Sequence, residues 1–166
     1  MRRREFLLSL LHLPLLGLIG SASAGSRGLG RLKQPASHWK PLLSAAAYDV
    51  LFEEDTERAG SSPLDREKRK GQFVCAACFQ PLFDAAHKFD SGTGWPSFWQ
   101  PLPGAVETSR DFKLILPRTE YHCSRCGGHQ GHVFDDGPKP TGLRYCNNGV
   151  ALHFVPAGEP LPALRS

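Results

Sequence analysis

Val74-Cys75-Ala76-Ala77-Cys78 and His122-Cys123-Ser124-Arg125-Cys126-Gly127-Gly128 are two copies of one short motif, and the rest of this 166-residue chain is organised around them. Each copy places two cysteines three positions apart, directly after a run of residues typical of a β-strand. A C-x-x-C pair folds as a tight turn that directs two thiolates to one point, and the glycines after the second pair can supply the positive φ that such a turn often needs. Together the two turns complete the tetrahedral thiolate shell of a structural zinc site.

The separation of the two pairs along the chain is longer than in a small zinc ribbon. The metal is therefore expected to join two parts of one sheet-rich domain, with Cys75, Cys78, Cys123 and Cys126 as its ligands. Two alternatives remain open for the same residues. They are a pair of structural disulfides, which an oxidising compartment would favour, and a redox-active C-x-x-C of thioredoxin type, although neither pair lies in the βαβ context of that fold.

The remaining sequence predicts a domain dominated by short β-strands. Strand-like runs bounded by Gly-Pro, Asp-Gly and Asn-Gly pairs occur at Gln72–Val74, Phe112–Leu116, Glu120–His122, His132–Phe134, Leu143–Tyr145 and Val150–Val155. Ahead of them, Ser44 can cap a short helix from Ala45 to about Phe52, and Ser61-Ser62-Pro63-Leu64 is typical of a second helix start or a turn. We therefore expect a mainly β domain, with antiparallel sheets and short N-terminal helices.

Residues 1–24 have the features of a signal peptide. Three arginines precede a mostly apolar stretch, and Ala22-Ser23-Ala24 supplies the small-residue pattern that a signal peptidase recognises. The order Arg3-Arg4-Glu5-Phe6-Leu7 is similar to a twin-arginine export signal, which implies a bacterial source, a periplasmic destination and export of an already folded protein. The alternative is an uncleaved anchor in the inner membrane, although the apolar run is shorter than the roughly 20 residues that a spanning helix needs.

Composition limits the partners of the mature chain. We expect residues 25–38 to form a linker, because Gly25–Gln34 is rich in Gly, Ser and basic residues without an apolar period. Residues 39–166 are expected to form one domain. Without residues 1–24 the chain keeps seventeen basic and fifteen acidic residues, a net charge of +2. This even balance argues against a nucleic-acid partner, and nothing in the sequence requires more than a monomer.

Cys146 is the fifth cysteine, and it has no partner at metal-ligand spacing. A lone cysteine is commonly a small buried hydrophobic residue, but this one lies between Arg144 and the polar run Asn147-Asn148-Gly149. A thiolate needs a nearby cation or hydrogen-bond donor before its pKa falls below about 8.5. Arg144, His129 and His132 are candidates if the fold brings them to Cys146. The residues favour a reactive thiol and leave a buried structural role open.

Two longer segments carry a family resemblance. The segment from His129 to Gly149, HQGHVFDDGPKPTGLRYCNNG, and the segment from Lys88 to Phe98, KFDSGTGWPSF, closely resemble the signature of the R-specific methionine sulfoxide reductases, the MsrB type. The two C-x-x-C pairs match the zinc ligands of its zinc-bearing members, and the match runs from about Trp39 to Pro156. The resemblance implies two antiparallel sheets, one structural Zn²⁺ per chain, and reduction of protein-bound or free methionine-R-sulfoxide.

The resemblance also implies roles for individual residues. Cys146 would be the nucleophile that attacks the sulfoxide sulfur. Trp95 would pack against the methyl group of the substrate, which needs an apolar wall. The two histidines and Asn148 would line the pocket and bind or protonate the sulfoxide oxygen, which makes the sulfur a better electrophile. The substrate-binding set would be Trp95, His129, His132, Asn148 and Arg144.

The chemistry would leave Cys146 as a sulfenic acid. Many members of the family carry a second, resolving cysteine in the Ser-Gly-x-Gly-Trp loop, where this sequence has Thr93. We therefore expect no resolving thiol within the chain, and reduction of the sulfenic acid by a thioredoxin-like protein or a small thiol.

Two other functions remain open from the residues alone. A non-catalytic zinc module that binds a protein through its knuckles would make Cys146 dispensable and buried. A thiol–disulfide exchanger would use the C-x-x-C pairs for redox cycling, and a tightly held metal on those pairs would exclude it.

Overall fold

The computed structural model describes residues 30–111 and 117–166. Within these residues the helices are α1 (Ala36–Trp39) and α2 (Ala45–Glu53), with single 3₁₀ turns at Lys40–Leu42, Pro63–Arg66, Ala85–His87 and Gly149–Ala151. The strands are β1 (Gly71–Cys75), β2 (Pro81–Asp84), β3 (Lys88–Phe89), β4 (Ser97–Phe98), β5 (Val106–Asp111), β6 (Arg118–Cys123), β7 (His129–Phe134), β8 (Arg144–Asn147) and β9 (Leu152–Pro156).

The strands form two antiparallel sheets, which confirms the fold class expected from the sequence. The first sheet has the order β2-β1-β9, and the second has the order β3-β4-β8-β7-β6-β5. Every paired strand runs antiparallel to its neighbour. The strand expected at Phe112–Leu116 lies outside the described residues, as does the expected signal peptide.

An aromatic cluster joins the two sheets. Phe73 of β1 and Phe83 of β2 belong to the first sheet, and both contact Phe98 of β4 in the second. The rings of Phe83 and Phe98 stack with centroids 4.1 Å apart and planes at 12°. Tyr121 of β6 meets Phe83 edge-on, with centroids 6.1 Å apart. All four side chains are fully buried, and the burial of their apolar surface stabilises the packing of the two sheets against each other.

Helix α2 has the start that the sequence predicts. The Ser44 side chain accepts a hydrogen bond from the Ala47 amide at 3.2 Å, and this satisfies one of the unpaired donors of the first turn. The helix ends at Glu54, whose φ of 58° lies in the left-handed region. Its buried face includes Val50 and Leu51, and the helix packs on β7 and on the 3₁₀ turn at Gly149–Ala151.

The chain contacts the domain before residue 39. The Leu32 amide donates to the Arg125 carbonyl at 2.7 Å, and α1 begins at Ala36, inside the segment expected to be a linker. Trp39 is fully buried and its ring stacks on Phe52. Among the described residues no helix combines the length and the apolar character that crossing a membrane requires.

Candidate active site and metal centre

The two C-x-x-C turns converge on one centre between the sheets. Cys75 ends β1 and Cys123 ends β6. The Sγ–Sγ distance is 3.6 Å for Cys75–Cys126 and 3.6 Å for Cys78–Cys123, and all four sulfurs lie within 4.8 Å of one another. A disulfide needs a separation of about 2.0 Å, whereas thiolates about 2.3 Å from a tetrahedral metal lie roughly 3.8 Å apart. The four cysteines therefore fit a closed structural metal site.

The backbone of each turn explains how four thiols reach one point. The Phe79 amide donates to the Cys75 carbonyl at 3.0 Å, and the Gly127 amide donates to the Cys123 carbonyl at 2.9 Å. The residue after the second cysteine has a left-handed φ in both turns, 61° at Phe79 and 77° at Gly127. Glycine adopts this conformation easily, so Gly127 supplies the positive φ that the sequence predicts for the second turn, whereas Phe79 adopts it in the first.

Cys146 lies in the middle of the larger sheet. Its Cα pairs with Ser97 of β4 on one side and with His132 of β7 on the other. Gly131 allows this close pairing, because a Cβ at Gly131 would overlap the Cys146 carbonyl oxygen. Cys146 opens onto a cavity of about 130 Å³, lined by Thr56, Trp95, Arg118, Gly131, His132, Phe134, Cys146, Asn147 and Asn148. Cys146 is thus partly exposed, unlike the buried thiol that a structural role would require.

Burial and charge act in opposite directions on the Cys146 thiol. Burial raises the pKa of Cys146 above its ordinary value, and Asp136 adds to this effect. The Arg144 guanidinium and the Thr93 hydroxyl both lower the pKa of Cys146, because each stabilises the thiolate. Burial outweighs them, so the thiol is the stable form at neutral pH and the proton has to leave as the sulfur reacts.

Arg144 reaches Cys146 from outside the cavity. Its Nε and Nη2 donate to the two carboxylate oxygens of Asp136 at 2.7 and 2.8 Å, and its guanidinium lies 4.3 Å from the centroid of the Phe134 ring. This two-point pair raises the pKa of Arg144 and lowers the pKa of Asp136. Arg144 is not among the residues that line the cavity. It acts on the Cys146 thiol from behind the wall that Phe134 forms.

His132 and Arg118 share one buried carboxylate at the edge of the cavity. His132 Nε2 lies 3.0 Å from Asp111 Oδ2, and Arg118 Nη2 donates to the same oxygen at 2.6 Å. Asp111 is only 4% exposed, so its buried carboxylate fixes both side chains in place. Sequence reasoning missed Arg118 and Asp111, because neither lies in a motif and they reach His132 only through the pairing of β5, β6 and β7.

His129 is not among the residues that line this cavity, and it lies directly behind His132. It is 2% exposed, and the ring centroids of the two histidines are 5.4 Å apart. The register of β6 and β7 shifts between Tyr121 and His122, and this irregularity places His129 opposite His122. Its Nδ1 lies 3.5 Å from the carboxylate of Glu120.

Trp95 and Asn148 line the cavity, and both are held by Glu57. The Trp95 indole donates from Nε1 to the Glu57 carbonyl at 3.1 Å, and the Glu57 amide donates to Asn148 Oδ1 at 3.1 Å. The Glu57 carboxylate accepts from the amides of Gly149 and Val150 at 2.5 and 3.0 Å. Sequence reasoning missed Glu57, which lies 91 residues from Asn148 in a segment without a motif.

The comparisons with known proteins identify the family of this chain. Residues 43–156 match the SelR domain family, and the chain belongs to that family. The chain is 46% identical over 127 residues to a peptide methionine sulfoxide reductase MsrB of Agrobacterium fabrum, covering 76% of this chain and 94% of that protein. It is 50% identical over 119 residues to an MsrB of Bradyrhizobium diazoefficiens, covering 71% of this chain and 86% of that protein. An MsrB of Leptospira interrogans is 49% identical over 117 residues, covering 70% and 89% of the two chains.

Proposed function

We propose that this chain reduces the R epimer of methionine sulfoxide, in proteins or as the free amino acid, with Cys146 as the nucleophile. Its place in the SelR family and its identity to MsrB proteins of several organisms make it a peptide methionine sulfoxide reductase. Our proposal adds the choice of epimer, the roles of the individual residues, the identity of the metal and the reductant.

The observation that carries the proposal is the composition of the cavity around Cys146. Trp95 and Phe134 supply aromatic surface that suits an S-methyl group. His132 and Arg118 supply donors that suit a sulfoxide oxygen. A sulfoxide sulfur carries one apolar and one polar substituent beside the rest of the side chain, so a cavity with one apolar and one polar wall can select one epimer.

The reaction transfers one oxygen atom from sulfur to sulfur. The Cys146 sulfur attacks the sulfoxide sulfur as its own proton leaves, and the sulfoxide oxygen takes up a proton as its bond to sulfur weakens. The oxygen then bonds to Cys146, which becomes a sulfenic acid, and the thioether of methionine is released. The Cys146 sulfur supplies the two electrons that reduce the sulfoxide, and the proton that leaves the thiol balances the proton that the oxygen takes up. This half of the reaction therefore needs no external reductant.

The neighbours of Cys146 divide this work. Arg144 and Thr93 stabilise the thiolate as it forms, since both lower the pKa of Cys146. His132, held by Asp111, protonates the oxygen, and Arg118 binds it. Asn148 supports the wall of the cavity, because its amide already bonds the Glu57 amide and the Gln130 carbonyl. His129 acts through its ring contact with His132, and we treat it as a positioning residue.

The sulfenic acid is reduced by an external thiol. The chain has five cysteines, and four of them converge on the metal centre, while Thr93 occupies the position of the usual resolving cysteine. A thioredoxin-like protein or a small thiol would form a mixed disulfide with Cys146 and release water. A second thiol then releases Cys146 and leaves as the oxidised donor.

The four-cysteine centre is proposed to hold one structural Zn²⁺. Four cysteine sulfurs that lie within 4.8 Å of one another can complete the closed thiolate shell that zinc prefers. When it is bound, zinc ties the end of β1 to the end of β6, and it takes no part in oxygen transfer. This closed shell disfavours a thiol–disulfide exchanger, because metal-bound thiolates cannot cycle.

We further propose that the protein is exported to the periplasm of a bacterium. Support comes only from Arg3-Arg4-Glu5-Phe6-Leu7 and Ala22-Ser23-Ala24 in the sequence. Cell fractionation of the full chain tests it. Replacement of both Arg3 and Arg4 by lysine should leave the uncleaved protein in the cytoplasm, whereas unchanged processing would refute the twin-arginine route.

The function is tested with purified full chain, dithiothreitol and each epimer of methionine sulfoxide. The proposal expects consumption of the R epimer and sparing of the S epimer. The variant Cys146→Ser should lose turnover while it keeps its metal. Full activity in that variant would refute the catalytic role of Cys146 and would favour a binding module that does not use it.

A further inference from the structure

A second cluster of metal-ligating side chains lies on the larger sheet, outside the four-cysteine centre. Glu120 and His122 are two residues apart on β6, so they face the same side of the sheet. His129 on β7 is the cross-strand partner of His122, because the register shift after Tyr121 brings these two residues opposite each other. A regular ladder would place Gln130 there. The irregularity thus builds a group of two imidazoles and one carboxylate.

The distances within this group suit a bound cation. His129 Nδ1 lies 3.5 Å from Glu120 Oε2, and His122 Nε2 lies 3.8 Å from the same oxygen. The three ligand atoms all lie within 4.8 Å of one another. Nitrogen and oxygen ligands about 2.1 Å from a metal lie roughly 3.4 Å apart in tetrahedral geometry. The three groups can therefore reach one ion with small side-chain adjustments.

The surroundings hold the group in place and leave it accessible. Ser109 donates from Oγ to Glu120 Oε1 at 2.8 Å, so the other carboxylate oxygen, Oε2, is directed to the histidines. The His129 ring is 2% exposed, whereas the His122 side chain is 19% exposed. His122 lines a surface depression that supplies an entry path, and the Glu107 carboxylate in the same depression is paired with Arg31.

We propose that Glu120, His122 and His129 form a second metal site, which binds a divalent transition ion that prefers imidazole, such as Zn²⁺, Ni²⁺ or Cu²⁺. The site is separate from the thiolate centre, and the proposal does not depend on the reductase assignment. It does have a consequence for the pocket. The His129 ring contacts both His122 and His132, so an ion bound here holds the ring that packs against His132.

The test uses the full chain with its thiolate centre loaded with zinc, in a Cys146→Ser background so that the active-site thiol cannot bind the probe. Calorimetric titration with Ni²⁺ should find one further equivalent. His122→Gln should weaken the binding of this Ni²⁺ by at least about tenfold, since even outer-shell partners of a metal site contribute about 10- to 100-fold in affinity. His153→Gln removes an exposed histidine elsewhere and should change nothing. The proposal is overturned if the extra equivalent of Ni²⁺ is absent or if His122→Gln binds it with unchanged affinity. It is also overturned if His122→Gln and His153→Gln lose Ni²⁺ affinity equally.

Histidine NMR of the Cys146→Ser protein provides a readout that does not depend on how the His122 variant folds. Substoichiometric Ni²⁺ is paramagnetic and should broaden the ring signals of His122 and His129 first. Broadening of His153 or His87 before these two would assign the binding to adventitious surface histidines and overturn the site.

Discussion

Gln130 Nε2 donates a hydrogen bond to Cys75 Sγ across 3.5 Å, so a side chain of β7 contacts the metal centre directly. The other end of the same amide accepts from Asn147 Nδ2 at 3.4 Å. Asn147 is the neighbour of Cys146 and also accepts from the Tyr121 hydroxyl at 2.7 Å. A continuous chain of buried hydrogen bonds therefore runs from the thiolate centre to the backbone that carries the nucleophile.

Replacing Gln130 tests this connection. Gln130→Met removes the donor to Cys75 and leaves buried polar groups without their partner, so the free energy of unfolding should fall by about 1–3 kcal/mol. Metal affinity should fall by about 10- to 100-fold, measured by competition with a chelator. Gln80→Met is the control, because Gln80 is equally buried and bonds Ala105 and Ser124 rather than a sulfur. An equal loss of metal affinity in both variants would contradict the connection.

Removal of the metal should destabilise the whole domain. The centre ties the end of β1 to the end of β6, and structural zinc sites contribute folding free energy directly. Thermal unfolding with a strong chelator under reducing conditions should show a lower midpoint temperature and a broader transition. The metal-free protein should also lose reductase activity. Cys146→Ser should keep the metal and unfold like the wild type. A chain whose unfolding is unaffected by metal removal would refute the structural role.

Arg144 should control the reactivity of the nucleophile. Arg144→Met removes a cation that lowers the pKa of Cys146, so the pKa of that thiol should rise further and less thiolate should be present at any given pH. The pH profile of alkylation by iodoacetamide should move to higher pH. Arg118→Met is the matched control, since Arg118 lines the cavity but has a smaller effect than Arg144 on the pKa of Cys146. A profile that moves as far in the control, or does not move for Arg144→Met, would contradict the assignment.

His132 should carry the proton that the departing oxygen needs. His132→Gln should lower kcat/KM by about 10²- to 10⁴-fold, the usual contribution of general acid catalysis. Asp111→Asn should cause a smaller loss, because the histidine remains but loses the carboxylate that orients it. His153→Gln is the surface control and should retain full activity. Wild-type rates for the two pocket variants, with folding verified by thermal unfolding, would exclude proton transfer through His132.

Thr93→Cys should supply the resolving thiol that this chain lacks. The Thr93 hydroxyl acts on Cys146 by a hydrogen bond, so a thiol at this position lies close to the nucleophile. After one turnover without reductant, the variant should contain a disulfide between positions 93 and 146, visible in a peptide map. The wild type should instead keep a sulfenic acid that dimedone captures. A variant that accumulates the same sulfenic acid as the wild type would show that position 93 cannot resolve it.

The sequence predicted the positions of some strands, but it missed the buried strand β2 (Pro81–Asp84). Gln72–Val74 and Glu120–His122 lie within β1 and β6, and Leu152 begins β9 with its side chain buried. It did not predict β5, because the middle of Val106–Asp111 is exposed and shows no apolar alternation. It also missed β4, whose two residues are too short for any periodic pattern.

The same distinction holds for the site. The cysteines and Trp95 belong to dense local motifs, so their proximity could be inferred from spacing and resemblance. Arg118 and Glu57 enter the site only through tertiary contacts, and a single sequence does not contain that information. His129 lies in a motif, but no local pattern indicates the shift in the β6–β7 register that places it opposite His122. The motifs thus indicated which residue types occur together, and the pairing of the strands determines which of them are neighbours.

The central claim is that Cys146 accepts the oxygen while the other four sulfurs hold a metal. It is tested by mass spectrometry of the full chain after one turnover with methionine-R-sulfoxide, with dimedone present and no reductant. The account predicts one methionine released per chain and one dimedone adduct, on the peptide that contains Cys146. An adduct on a peptide that contains Cys75, Cys78, Cys123 or Cys126, with Cys146 unmodified, would contradict it.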